Sequence, residues 1–259
     1  MKYNYHTHTS RCYHATGSDE EYVLAAIKAG FDEIGFADHT PWNFKGFTSH
    51  MRMHENDLAD YCNSVKYLRD KYEGKIRIKL GLECEYFPQY FPWLKEEIAK
   101  HKIDYIILGH HYCTDEKTGP YNGAITTPEE IYTYRDEVLA AMDTGLFSYV
   151  AHPDLFMRAY PEFDEHCEKV SRDIIAKAIE TDTPVEFNLL GLTHIIREGA
   201  SDYPHPGFWK IASEMKPKAL VGIDAHYPGA YRDHELFEIG HAELKKYGLT
   251  PVESIKFLR

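Results

Sequence analysis

Residues 5–14, Tyr-His-Thr-His-Thr-Ser-Arg-Cys-Tyr-His, place three imidazoles, His6, His8 and His14, near the start of the chain. On an extended backbone side chains alternate with period two, so His6 and His8 project from one face and suit a shared metal ion. With 16 histidines in the chain a lone His-x-His is weak evidence. Its weight comes from recurrence, because acids and histidines also end the later strand-like runs. Asp38-His39 follows the run 33–37, Glu83 the run 75–82, His110-His111 the run 104–109, His152 the run 147–151, and Asp224-Ala225-His226 the run 219–223. Asp224 and His226 repeat the period-two geometry, and the two oxygens of Glu83 suit it to bridge two ions. Imidazoles with a few carboxylates favour zinc, manganese or iron, whereas magnesium and calcium prefer oxygen-rich shells. Taken singly, Asp38-His39 reads as a loop or capping pair and His152 before Pro153 as a strand end. Together the donors exceed what one ion needs and point to a polynuclear site.

Elements must position these donors. Ser18-Asp19-Glu20-Glu21 has capping-box spacing and predicts a helix that Gly30 stops. Leu58, Tyr61, Val65 and Leu68 recur at helical spacing within a helix over about 55–72. Pro92 opens another to about 101, and Thr127-Pro128-Glu129-Glu130 opens the next with a cap, a proline and an acid. Further helices are expected over about 164–180, 206–215 and 233–247. The loop 40–54 carries Trp42, Phe44 and Phe47, which suit either a cover for a site or a packed core. Strand followed by helix, repeated about seven times, predicts an α/β fold with a mostly parallel sheet and outer helices. A closed or nearly closed barrel is favoured over an open sheet, because a barrel gathers the C-terminal ends of all its strands at one mouth. The 259 residues read as one domain, 1–259, without repeat or linker.

Composition narrows the function classes. The formal net charge is −12, from 29 basic and 41 acidic side chains. That disfavours a general nucleic-acid or anionic-membrane surface, either of which gains from a basic face. The five cysteines, Cys12, Cys62, Cys84, Cys113 and Cys167, are odd in number and scattered, with no C-x-x-C. They read as free thiols in a reducing compartment, neither a disulfide frame nor a thiolate zinc site. No apolar run approaches membrane-spanning length and no signal peptide is evident, so the expectation is a cytoplasmic protein.

His6-Thr7-His8 with His14, Phe36-Ala37-Asp38-His39-Thr40-Pro41, Gly81-Leu82-Glu83, His111 after Asp104-Tyr105, Ala151-His152-Pro153-Asp154-Leu155-Phe156 and Asp224-Ala225-His226 resemble the PHP (polymerase and histidinol phosphatase) superfamily. The likeness runs from the first residues to about His226, and is strongest to its stand-alone histidinol-phosphate phosphatases. It implies a distorted (β/α)7 barrel, TIM-like, with a metal site at the C-terminal ends of the strands. It further implies three divalent ions, zinc, manganese or iron. His6, His8, Glu83 and Asp224 are placed on one, Glu83, His111 and His152 on a second, and His14, His39 and His226 on a third. His111 is preferred to His110 by the resemblance alone, since a strand buried on both faces has no readable periodicity. Ile223 stands where the family commonly has a small polar residue.

A phosphate monoester repels an external nucleophile, so its hydrolysis needs charge neutralisation and a nucleophile already in place. Clustered divalent ions supply both, lowering the pKa of bound water to about 7. The expected chemistry is in-line attack of a metal-bridging hydroxide on L-histidinol phosphate, a step of histidine biosynthesis, with Glu83, Asp224 and His226 as the central protein groups. Arg158 and Arg197 are the candidates for gripping phosphate with a planar fork. His205 reads as a capping or solvated residue rather than the leaving-group acid. The same site acting on another phosphate ester, a phosphotyrosyl protein or a nucleic-acid end is the runner-up. An amidohydrolase-like enzyme needs fewer ligands than are present, and a non-catalytic metal-binding module would be expected to have lost some. The partner is therefore a small phosphate monoester, not nucleic acid or membrane.

Overall fold

The computed structural model describes residues 1–199, 203–232 and 234–258, without the His234 side chain. The chain forms two compact units, one of residues 1–107, 223–234 and 256–259, the other of residues 108–222 and 235–255. Among the described residues no helix is long and apolar enough to cross a membrane.

The first unit holds β1 (Tyr3–Asn4), β2 (Glu33–His39), β3 (Arg77–Cys84) and most of β4 (Tyr105–Leu108), in the order β1-β2-β3-β4. β1 pairs parallel with β2, and β2 parallel with β3 from Glu33↔Arg77 to His39↔Glu83. That register sets two of the candidate donors side by side at the C-terminal ends of adjacent strands. α1 (Asp19–Lys28), α2 (Leu58–Lys71) and α3 (Phe91–His101) connect these strands. The capping box of α1 forms as its sequence requires, with Ser18 and Glu21 exchanging side-chain and backbone bonds. Gly30 follows at φ +72°, a left-handed conformation that costs glycine little.

Two strand glycines in this unit are required by a close approach. A Cβ on Gly35 would lie 2.1 Å from the Tyr105 Oη, and one on Gly81 would lie 2.4 Å from its Cζ. The buried Tyr105 ring occupies that space, with its hydroxyl in reach of the carbonyls of Tyr5 (2.7 Å) and Phe36 (3.1 Å). A polar tip on a large apolar body thus fills the space and leaves no buried hydroxyl unbonded.

The second unit contains the parallel pair β5 (Val185–Asn188) and β6 (Ala219–Gly222). Parallel bridges Leu108↔Val150, Val150↔Val185 and Ala219↔Pro251 extend the ladder on both sides. α4 (Pro128–Asp143), α5 (Glu165–Glu180), α6 (Leu189–Glu198), α7 (Pro206–Met215) and α8 (His234–Lys246) complete the chain. Thr127 caps α4 through a capping box with Glu130, as expected from Thr127-Pro128-Glu129-Glu130. The expected strand over 147–151 is reduced to the bridge at Val150. Its hydrogen bonds are nonetheless made on both sides, Ala151 N to Leu108 O at 2.9 Å and Glu186 N to Val150 O at 2.9 Å. α6 was not expected as a helix, and Asp233, the anticipated start of the last helix, lies outside the described residues.

Candidate metal centre

Pairing between the first and last parts of the first unit brings four of the donors together. The segment at Ala225 runs parallel to the one at Thr7, joined by Ala225 N to His6 O at 3.1 Å and His8 N to Ala225 O at 2.9 Å. His6, His8, Asp224 and His226 therefore interleave, two donors from each segment. Asn4 fixes the register, its Oδ1 accepting from Ile223 N at 2.8 Å and its amide donating to Tyr231 Oη at 2.8 Å. The Ile223 position is thus held through its backbone, whatever its side chain.

His6 Nε2 lies 3.4 Å from Glu83 Oε1 and 3.3 Å from Asp224 Oδ1, and His8 Nε2 lies 3.5 Å from Glu83 Oε2 and 3.1 Å from Asp224 Oδ1. An ion bound tetrahedrally by nitrogen and oxygen separates its donors by about 3.3 Å, given bonds of about 2.0–2.1 Å. The four side chains, all buried, have that spacing. His8 Nε2 is enclosed and faces the two carboxylates. Glu83 Oε2 is also 2.9 Å from His39 Nδ1, so its two oxygens face different imidazoles. A second group, His14, His39 and His226, has donor atoms within 4.8 Å of one another. His14 turns Nδ1 to Cys12 O at 2.7 Å and His226 turns Nδ1 to Asp224 O at 3.0 Å, leaving each Nε2 for a ligand.

The electrostatics suit a cation. Burial raises the Asp224 carboxyl, but the charge of His6 and the bond from His8 outweigh it and hold the group well below the usual carboxylate range. Burial, reinforced by the neighbouring His8, pushes the His226 imidazole down to about 3. An ionised carboxylate and a neutral imidazole are the forms that bind metal. Burial opposes a charge on His8, yet the bonds to Asp224 and Asp38 raise it well above an ordinary histidine. Carboxylates crowd this ring and favour its charged form, a charge that a divalent ion would supply instead.

Backbone strain coincides with the donors. Asp224 has φ +53° and, in the second unit, His152 has φ +30°. Left-handed conformations of this kind cost non-glycine residues about 1–3 kcal/mol and cluster at functional sites. In that second unit the rings of His152 and His111 lie 5.0 Å apart, both buried. His110 is engaged elsewhere, its Nε2 2.8 Å from Glu137 and its ring against Tyr134. The structure therefore separates two adjacent histidines that the sequence alone could not.

Arg158 ends a 3-10 turn, exposed, and donates to Tyr121 Oη at 2.9 Å. Arg197 is exposed in the last turn of α6. His205 is the N-cap of α7, its Nδ1 accepting from Gly207 N at 3.1 Å, which agrees with its capping role. Of the aromatic loop, Trp42 and Phe44 are packed against Phe87 and Tyr90, while Phe47 is exposed. Core packing therefore accounts for the first two.

Three supporting carboxylates escaped the sequence reading. Asp38, taken alone as a capping or loop residue, accepts from Thr9 N at 3.2 Å and His39 N at 2.8 Å and lies 3.4 Å from His8 Nδ1. It thereby fixes the ring whose Nε2 faces Glu83 and Asp224. Glu186 accepts from His152 N at 3.1 Å and Asn188 Nδ2 at 3.0 Å, and a Cβ on Gly222 would meet its Oε1 at 1.7 Å. Asp154 accepts from His205 N at 2.7 Å and Trp209 Nε1 at 3.2 Å, and burial pushes its carboxyl up to about 7. For Asp38 the consequence is testable. Asp38→Asn is expected to weaken zinc binding by about 10–100-fold, as loss of a histidine-orienting carboxylate does. Chelator competition measures this, and unchanged affinity would mean that Asp38 does not orient His8.

The chain is similar to a probable histidinol-phosphatase of Deinococcus radiodurans, 27% identical over 86% of each chain. It is similar also to the histidinol-phosphatase of Bacillus subtilis, 24% identical over 86% of this chain and 93% of that one. Among solved structures, the histidinol phosphate phosphatase of Lactococcus lactis, in complex with zinc, L-histidinol and phosphate, superposes with a TM-score of 0.72. That likeness spans 100% of this chain and 99% of the other at 20% identity, and it shows the expected α/β, TIM-like fold. The family model of the PHP domain matches residues 4–189, well over half of the sequence, and the chain belongs to the PHP domain family.

Proposed function

We propose that residues 1–259 act as one PHP-type phosphomonoesterase that hydrolyses L-histidinol phosphate to L-histidinol and phosphate, a step of histidine biosynthesis. The observation that carries this reading is the convergence of His6, His8, Glu83 and Asp224, whose imidazole–carboxylate distances of 3.1–3.5 Å suit tetrahedral donors. The relatives named histidinol-phosphatase, and the fold shared with one solved with zinc, histidinol and phosphate, support the choice of substrate.

Three divalent ions, zinc, manganese or iron, would be held by His6, His8, His14, His39, Glu83, Asp224 and His226 of the first unit and His111 and His152 of the second. When bound, such ions supply the charge neutralisation and the acidified water that phosphate-ester hydrolysis requires. The protein's own part is positional. Glu83 aims one oxygen at each side of the imidazole cluster, Asp38 holds His8, and the strained backbone at Asp224 turns its carboxylate towards His6 and His8. Because these dipoles and charges are fixed by buried hydrogen bonds, little reorganisation is left for the reaction itself. Arg158 and Arg197 remain the guanidinium groups proposed to grip the phosphate. Five buried cysteines without a disulfide accord with a cytoplasmic setting.

The test is phosphate release from L-histidinol phosphate by protein loaded with manganese or zinc, beside an aryl phosphate and chelator-stripped protein. Efficient turnover of histidinol phosphate that disappears on stripping is the expected result. Turnover of the aryl phosphate alone would reject the substrate, and no release from either, with metal bound, would reject the phosphatase reading.

A further inference from the structure

We propose that Asn122 and Glu137 are positioning residues for His111, fixing the direction in which its imidazole meets a metal ion, with the adjacent His110 as the anchor. This rests on the reading of His111 as a metal ligand, and it gives a role to the neighbouring histidine that the metal centre does not use.

The chain leaves β4 at Leu108, and residues 109–111 belong to no strand or helix. His110 and His111 are nevertheless buried, so their carbonyls need partners within the protein. Asn122, itself fully buried, supplies both. Its side-chain Nδ2 donates to His110 O at 2.8 Å, and its backbone N donates to His111 O at 2.7 Å. Those two carbonyls belong to the peptide groups on either side of the His111 Cα. Each peptide group is planar, so holding both planes fixes φ and ψ of His111 and with them the direction of its Cα–Cβ bond. His111 N donates to Gly109 O at 3.0 Å and secures the first of these planes a second time. The Asn122 amide is held in turn, because Cys113 Sγ donates to its Oδ1 at 3.0 Å. A thiol donates to the amide oxygen and a carbonyl accepts from the amide nitrogen, so the group has one orientation.

Glu137 holds the same segment from α4. Its carboxylate lies 2.8 Å from His110 Nε2 and accepts from Thr114 N at 3.2 Å. The His110 ring also packs on Tyr134 of that helix, at 5.7 Å between centroids. With His110 committed to α4, the ring of His111 lies 5.0 Å from that of His152, the other donor of the second unit. Asn122 and Glu137 act on His111 through its backbone and its neighbour rather than through its ring. Loss of either is therefore expected to weaken zinc binding at this ion by about 10-fold, the lower end of what removing a ligand-orienting partner costs.

The experiment measures zinc content by elemental analysis and zinc affinity by chelator competition in the whole chain, for the parent, His111→Ala, Asn122→Ala, Glu137→Ala and Glu137→Gln. The expected result is that Asn122→Ala and Glu137→Ala weaken the same ion that His111→Ala removes and leave the affinity for the others at the parent value. Glu137→Gln keeps an acceptor for His110 and Thr114 and is expected to recover most of the affinity. Weakening of every ion alike, without rescue by glutamine, would reduce both residues to a general role in stability and overturn the proposal. Parent-like affinity in both alanine variants, with His111→Ala still losing its ion, would overturn the positioning role and leave the metal centre standing. Unchanged zinc content in His111→Ala would overturn the reading of His111 as a ligand, and the positioning role with it. Glu137 is partly exposed on α4, so its two variants decide the matter if Asn122→Ala fails to fold.

Discussion

Glu83→Gln is expected to lower hydrolysis of histidinol phosphate by about 10³-fold or more, with loss of bound metal and little change in fold. Glu83 is the penultimate residue of β3, next to its final residue Cys84, almost fully buried, with one oxygen facing His6 and the other facing His8 and His39. Glutamine keeps the volume but removes the charge and turns one acceptor into a donor. That donor would face imidazole nitrogens already short of space. Loss of a single preorganised group that stabilises transition-state charge costs about 10²–10³-fold. Glu83 should cost more, because it also helps to hold the ions. Turnover measured together with metal content by elemental analysis checks the point. Parent-like rate and stoichiometry in the variant would remove Glu83 from the centre.

The sequence made the donors legible for a physical reason. Ligands that follow parallel strands are read one strand at a time, and period-two spacing marks His6 with His8 and Asp224 with His226. Helix starts were legible where a side chain must satisfy orphan N–H groups, as at Ser18 and Thr127. The opposite holds where the deciding partner is distant in the chain. Asp38 and Glu186 act on backbone and ring nitrogens brought near only by folding, so neither carries a local signal. His110 and His111 are adjacent in a buried strand end, and only Glu137, presented by α4, shows which of them is already occupied. α6 was missed because Gly191 and Thr193 weaken its local helical preference. Its real determinants are the Asn188 cap and a packing need: a Cβ on Gly191 would lie 2.0 Å from Tyr203 O.

The loop after β2 shows the same limit and yields the largest expected effect on stability. Arg52, 1% exposed, donates to Glu85 through Nη2 at 2.7 Å and Nη1 at 3.1 Å, and to Thr40 O at 3.0 Å. Trp42 Nε1 donates to the same carboxylate at 2.7 Å. Thr40 follows His39, and Glu85 lies two residues beyond Glu83, so this pair ties together the segments that carry two metal-facing side chains. Arg52 also lines a cavity of about 240 Å³, with Trp42, Phe44, Phe47 and His54 among others. Nothing in the sequence pairs an arginine in an irregular loop with a glutamate past a strand end. Glu85→Ala leaves the guanidinium buried without its carboxylate. Breaking a buried pair in this way costs about 3–5 kcal/mol, which for a chain of this size lowers the melting temperature by on the order of 10 °C. Replacing both partners by apolar residues of similar volume, Arg52→Met with Glu85→Leu, should recover most of that loss, because no uncompensated charge remains. Denaturant unfolding of the single and double variants distinguishes the cases. A double variant as unstable as Glu85→Ala would show that the bonds to Thr40 and Trp42, rather than the buried charge, hold the loop.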